Sequence, residues 1–324
     1  MLSPIPQGSD PGQRAGRSCP SDYRYPPSVF DRPADIVADV LYVAGGLYGN
    51  LAALDAVERL ADAEGATVVF NGDFHWFDAA PDWFAEIERR VVGHRATRGN
   101  VETELARPID IGAGCGCAYP ASVAEDVVRR SNEILLELRR TAQSLPGATA
   151  RSVALPMHLV AEVGGLRIGI VHGDATALAG WSFAHDALDA PSAPARLAAA
   201  QRAAHIDVFA STHTCLAALR DFALGAARLT VINNGAAGMP NFSGSRFGVI
   251  SRIATTPSPH PPLYDLLRDG VHIDAIALRY DGDAFLDRFL ARWGEGSPAH
   301  ASYFERILKG PDYSVAQARP RPAA

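Results

Sequence analysis

The chain has 324 residues, 48% of them hydrophobic and 20% charged, with a formal net charge of −6. That length carries one large core or two ordinary ones, and the balance is that of a soluble globular protein. The negative charge argues against nonspecific binding to nucleic acid or acidic lipid, and no segment approaches the apolar length of a membrane span.

The N-terminus lacks a basic start followed by an apolar core, so the expected location is cytoplasmic. Four cysteines are too few for a disulfide scaffold, and reduced thiols are expected. Lys309 is the only lysine among 30 basic residues, which a GC-rich genome explains without function.

Residues 1–33 are rich in Pro, Gly, Ser and Arg and read as an irregular N-terminal tail, with 22–30 ("DYRYPPSVF") docked on the surface. A single domain is expected over 34–310, and a C-terminal tail over 311–324. The body opens with a strand over 39–44 and a glycine-rich turn. An amphipathic helix over 50–65 follows, ending at Gly65. A strand over 67–73 and a helix over 81–94 come next, with Pro81 at the helix start. Residues 109–120 form an irregular glycine-rich stretch and 121–145 a long helix, together an insertion over 103–148. Gly164 and Gly165 separate two apolar runs and predict a hairpin. A helix over 194–204 and strands over 206–212 and 228–235 follow. Strands over 247–255 and 271–280 and a helix over 282–293 close the body. Parallel-type units early and antiparallel strands late predict an α/β sandwich with mixed sheets.

The turn after the first strand approximates a dinucleotide-binding fingerprint at Ala44, Gly46 and Gly49, with Asp73 as its acidic partner. Nothing later in the chain supplies a hydride-transfer site. More information lies where the other strands end. Asp73, Asn100, His172 with Asp174, His213, and Asn234-Gly235 each follow an apolar run or a short turn. Polar residues at the carboxyl ends of buried strands converge on one rim, where open α/β sheets bind ligands. A carboxylate, an amide oxygen and imidazoles form a mixed N/O set that suits Mn, Fe, Zn or Ni better than Ca.

The ordered motifs "VVFNGD", "RGNVE", "IVHGD", "STHT" and "VINNGAAGMP" resemble the calcineurin-like metallophosphoesterases over residues 38–290, most of all the small bacterial phosphodiesterase-like branch. The resemblance implies a sandwich of two mixed β-sheets flanked by helices. It also implies metal-dependent hydrolysis of a phosphomonoester or phosphodiester through a metal-activated water, on one or two divalent ions. Two departures matter. The family's Asp-x-His-Gly-Asn reads Gly46-Leu47-Tyr48-Gly49-Asn50, and its Gly-His-x-His reads Ala210-Ser211-Thr212-His213. One ion position then keeps Asp73 and His213, and the other keeps Asp73, Asn100 and His172, so a single-ion or atypical site is expected. His213 completes the shell or touches the phosphate. Val101 stands where the family's acid His is expected, which leaves His75 or Glu102 to protonate the leaving group. Gly46, Tyr48 and Asn50 are the candidate ligand-binding positions of the opening loop; Tyr48 either donates to a phosphate oxygen or fills the vacated metal position. Cys115-Gly-Cys117 reads as a loop-shaping stretch with incidental thiols. The implied partner is a small phosphorylated substrate; the oligomeric state is left open. The alternatives are a non-catalytic binding or regulatory protein on the same fold, and the dinucleotide-dependent oxidoreductase.

Overall fold

A computed structural model describes residues 14–145 and 147–320. Its first half contains β1 (Ile36–Val37), β2 (Val40–Ala44), α1 (Leu51–Glu64), β3 (Thr67–Asn71) and α2 (Pro81–Val91). β4 (Arg95–Thr97), α3 (Asn100–Ala106), α4 (Glu125–Gln143) and α5 (Ala148–Ala154) follow. Next come β5 (His158–Val163), β6 (Leu166–Val171), α6 (His185–Leu188), α7 (Ala193–Ala204) and β7 (Val208–Ser211). The chain continues through β8 (Ala218–Leu224), β9 (Ala227–Asn233), β10 (Gly248–Ala254), β11 (Tyr264–Arg268) and β12 (Val271–Leu278). It finishes with α8 (Gly282–Arg292), α9 (Pro298–Lys309) and α10 (Val315–Ala318).

The strands form two six-stranded mixed sheets, ordered β1-β5-β6-β7-β9-β8 and β11-β12-β10-β2-β3-β4, as the sequence pattern predicts. In the second, β2, β3 and β4 are parallel because α1 and α2 carry the chain back between them, while β10, β11 and β12 pair antiparallel. In the first, Gly164 and Gly165 both take positive φ and turn β5 directly onto β6.

Period-two alternation decides which side chains meet between the sheets. Leu41 and Val43 of β2 join Val69, Ile168, Ile170, Val208, Ile232 and Ile253 in the central core. Their neighbours Tyr42, Ala44, Val68 and Phe70 point the other way, onto Leu54 and Val57 of α1. Burying each of these large aliphatic side chains contributes about 1.5–3 kcal/mol. Asn50 caps α1 by accepting from the Ala53 amide at 3.0 Å, and Gly65 ends it with a φ of 62°.

Most elements absent from the sequence reading are short or lie at edges. β8 and β11 are the outer strands of their sheets and carry mixed burial, so neither shows a clean alternation. α9 lies beyond the expected closing helix. Ser297, which accepts from the His300 amide, and Pro298 mark its start. Between Ala106 and Glu125 the chain has no helix or strand, and α4 is shorter at both ends than the expected 121–145. Residues 14–33 pack against the body: Tyr23 and Phe30 are fully buried, and Tyr23 donates to Glu104 at 2.7 Å. Among the described residues no helix is long and apolar enough to cross a membrane.

Candidate metal centre

The carboxyl ends of β3 and β4 in one sheet meet those of β6 and β7 in the other. β3 ends in Asn71, whose amide donates across the sandwich to the Val171 carbonyl at 2.7 Å. The approach leaves no room for side chains at two positions. A Cβ on Gly72 would lie 2.5 Å from the Gly99 nitrogen and 2.6 Å from His172 Nδ1, and one on Gly99 would collide with the Asp73 carboxylate. Asp73 itself has a φ of 53°, a conformation uncommon outside glycine and enriched at functional sites. Glu102 holds that turn. Its buried carboxylate accepts from the backbone N–H groups of Asp73 at 2.8 Å, Phe74 at 3.1 Å and Gly99 at 2.8 Å. Burial, then the Asp73 charge, pushes its pKa up against those donors.

Four side chains converge on one point above this turn. His172 Nε2 lies 3.3 Å from Asp73 Oδ2, 3.2 Å from Asn100 Oδ1 and 3.1 Å from His213 Nδ1. Asp73, His172 and His213 offer ligand atoms that all lie within 4.8 Å of one another. The far atoms of each group set which end faces inward. His172 Nδ1 is 2.9 Å from the Asn71 carbonyl and His213 Nε2 is 3.0 Å from the Cys117 carbonyl. A carbonyl only accepts, so those ring nitrogens carry the hydrogens and the inward ones present lone pairs. Asn100 donates through Nδ2 to the Cys115 carbonyl at 2.9 Å, which turns Oδ1 inward. The point is therefore ringed by two imidazole nitrogens, an amide oxygen and a carboxylate oxygen. Donor atoms of a tetrahedral ion bonded at about 2.0–2.1 Å lie about 3.3–3.4 Å apart, close to the three separations from His172 Nε2. The donor set fits a divalent transition ion.

A proton relieves part of the same crowding. Burial opposes charge on His172, but the Asp73 carboxylate outweighs it and raises the imidazole. Burial also opposes charge on Asp73, and His172 with His213 brings its carboxyl below the usual range. His213, desolvated and facing His172, falls to about 4 and stays neutral at physiological pH.

No family model matches the chain, and no curated protein matches its sequence. Among solved structures, a hypothetical protein from Pyrococcus horikoshii OT3 superposes with a TM-score of 0.56 at 17% identity, covering 86% of this chain and 100% of that chain. A metallophosphoesterase from Sphaerobacter thermophilus superposes with a TM-score of 0.51 at 14% identity, covering 84% of this chain and 100% of that one. The chain has the metallophosphoesterase fold.

On that fold the opening loop is sealed rather than open. The N–H groups of Gly46, Tyr48 and Gly49 donate to the carbonyls of Gly72, Asp73 and Phe74, at 3.0, 3.2 and 2.8 Å. These three amides are therefore not available to cradle a pyrophosphate. Asn50 is fully buried, capping α1 and donating to Gly238 at 3.0 Å, and it does not line the cavity at the site. Gly46 has a φ of 65°, and a Cβ there would meet the Tyr48 ring at 2.8 Å. The phenol thus fills the room that a ligand side chain at 46 needs, and its hydroxyl lies 2.8 Å from Cys215 Sγ. Ser211, where the family resemblance expects a histidine, buries its hydroxyl without a hydrogen-bond partner among the described residues.

Two expected acids sit elsewhere. His75 is buried, stacked on Phe84 with centroids 3.7 Å apart, and its Nδ1 is 2.8 Å from Asp78. Neither His75 nor Glu102 lines the cavity at the site. The aromatic loop around His75 pulls that ring into the core, and Glu102 is committed to backbone amides. Asp174 is likewise spent on its own loop, accepting from Thr176, Ala177 and Ser182. Cys115 and Cys117 are not free thiols: their sulfurs are paired across Gly116, with Cα atoms 5.4 Å apart.

A cavity of about 320 Å³ opens over the centre, with Asp73, Asn100, His213 and Tyr48 on its wall. The sequence reading missed most of its lining. Trp76, Tyr119, Trp181 and Tyr303 supply rings and Arg306 a cation. Trp181 lies in an aperiodic loop and Tyr119 in the irregular insertion. Tyr303 and Arg306 lie on α9; the Ser297-Pro298 start was the available signal for that helix. The Cys117 carbonyl was equally invisible, although it also accepts from Trp181 Nε1 at 2.9 Å.

Proposed function

We propose that the protein is a phosphoesterase working with one divalent metal ion on a small phosphorylated substrate. The observation that carries this reading is the convergence of Asp73 Oδ2, Asn100 Oδ1, His172 Nε2 and His213 Nδ1 with their lone pairs directed at one point. These four residues would hold the ion. When bound, such an ion polarises a phosphoryl oxygen and lowers the pKa of a water from about 15.7 toward 7. The protein's own groups supply the rest. Arg306 lines the cavity and has no carboxylate within 4.0 Å among the described residues, so its charge is available to an anionic ester. Tyr48 has its pKa driven well above the ordinary value by burial, then by Cys215 and Asp73, and so keeps its proton at neutral pH as a donor toward a phosphate oxygen. Trp76 and Val101 on the same wall keep the centre partly dry, which strengthens each charge interaction.

The test is metal content of protein purified without chelator, together with turnover of bis(p-nitrophenyl) phosphate and p-nitrophenyl phosphate. Stoichiometric Mn, Fe, Zn or Ni, lost with turnover in Asp73→Ala and His172→Ala, supports the proposal. The Tyr48 ring beside Gly46, where the family resemblance expects a ligand side chain, favours a second reading, a binding protein for phosphorylated ligands. Metal without turnover of either ester selects it.

A further inference from the structure

Aromatic rings line much of the cavity over the metal centre, and several of them pack against one another. Trp181 lies edge-on to His213, with centroids 5.4 Å apart, and 5.9 Å from Tyr119. Trp76 and Tyr303 form another pair, 6.4 Å apart. The polar ends of the first pair are already satisfied by the protein: Trp181 Nε1 donates to Cys117, and the Tyr119 hydroxyl lies 3.0 Å from Ser131 Oγ. What these side chains offer a ligand is therefore ring surface, not hydrogen bonds. Val123, Val127 and Leu216 add aliphatic wall. Against this apolar lining stands one cation, Arg306. Its Nη2 is tied to the Cys215 and Pro240 carbonyls, which hold the guanidinium in place. A guanidinium on the cavity wall, held in place by carbonyls and with no carboxylate within 4.0 Å among the described residues, is a preformed seat for an anion.

We infer that this cavity selects phosphoesters carrying a planar aromatic ring, the ring lying against the Trp181–Tyr119 and Trp76–Tyr303 walls and the anionic ester against Arg306; this rests on the phosphoesterase reading of the same site. About 320 Å³ is the lower end of the small-molecule pocket range, enough for a phosphate with one ring system. Aromatic surfaces reward a flat π-face over an alkyl chain of similar area. An aryl group and a nucleobase share this chemistry, and the ligand series below separates them.

The experiment is calorimetric titration of the full chain with phenyl phosphate, adenosine 5′-monophosphate and ethyl phosphate, first with metal chelated and then with Mn²⁺. Ring stacking predicts that at least one aromatic ester binds about five- to a hundred-fold tighter than ethyl phosphate, with or without metal. The tighter of the two identifies the ring source. Trp181→Leu and Tyr303→Leu should erase the preference, Trp181→Phe should keep it, and Arg306→Gln should weaken all three ligands together. Equal affinity for ethyl and aromatic esters, no binding of any, or a preference that survives both leucine variants overturns the inference. A ring preference with no metal and no turnover supports it while removing the hydrolase reading. Turnover without ring preference does the reverse.

Discussion

His172 Nε2 and His213 Nδ1 face each other at 3.1 Å, and the carbonyls of Asn71 and Cys117 claim the hydrogens on the opposite sides of the two rings. Two lone pairs so placed, beside an amide oxygen and a carboxylate, repel unless a cation or a proton lies between them. The Cys117 carbonyl therefore acts at a distance from the centre: it fixes which nitrogen of His213 looks inward.

Removing any one donor should cost metal affinity steeply. His172→Ala and Asp73→Ala are expected to abolish stoichiometric binding. His213→Ala should weaken it by about 10–100-fold or more, since partners outside the ligand set already cost that much. Equilibrium dialysis with Mn²⁺ or Zn²⁺ measures this. Affinity unchanged in His213→Ala would remove that residue from the centre.

Glu102 should behave as a positioning residue. It touches neither the cavity nor the converging donors, yet it accepts from three backbone amides under Asp73. Glu102→Ala leaves those amides unsatisfied and should destabilise the fold by about 1–3 kcal/mol or more in urea denaturation. Metal affinity should fall with it. A stable variant with intact affinity but lost turnover would instead restore Glu102 as an acid.

Gly46 and Tyr48 form a coupled pair. Gly46→Ala places a methyl against the phenol ring at a positive φ and should cost about 1–3 kcal/mol. In Tyr48→Ala the ring is gone, so the same Gly46→Ala change should cost only the backbone part. A double-mutant cycle reads the difference, and additive losses would mean the ring does not occupy that space.

His158 links the N-terminal segment to acid stability. Its ring lies 5.0 Å from both Tyr25 and Phe30, with Nδ1 buried and without a hydrogen-bond partner among the described residues. Burial, then Arg32, holds its pKa below the ordinary 6.5. The unfolded chain then takes up the proton first, so this stability is present above about pH 6.5 and is lost as pH falls below it. Urea midpoints should drop between pH 7.5 and 5.5, and His158→Phe should flatten that part of the profile. An identical drop in the variant would place the acid sensitivity elsewhere.

The main strands and helices were legible because their signals are local. The apolar run in 40–44, the caps Asn50 and Gly65, and the Gly164-Gly165 turn each need only neighbouring residues. Strand-end polarity also pointed to Asp73, Asn100, His172 and His213, since a polar residue after an apolar strand has few other places to go. Tertiary structure decided which other groups share their space. His75 and Glu102 are near Asp73 in sequence yet face the core and the backbone. Arg306 and Tyr303 are more than two hundred residues from Asp73 and share the cavity wall with it. A side chain's direction is set by what packs against its element from elsewhere in the chain, and no periodicity within the element records that.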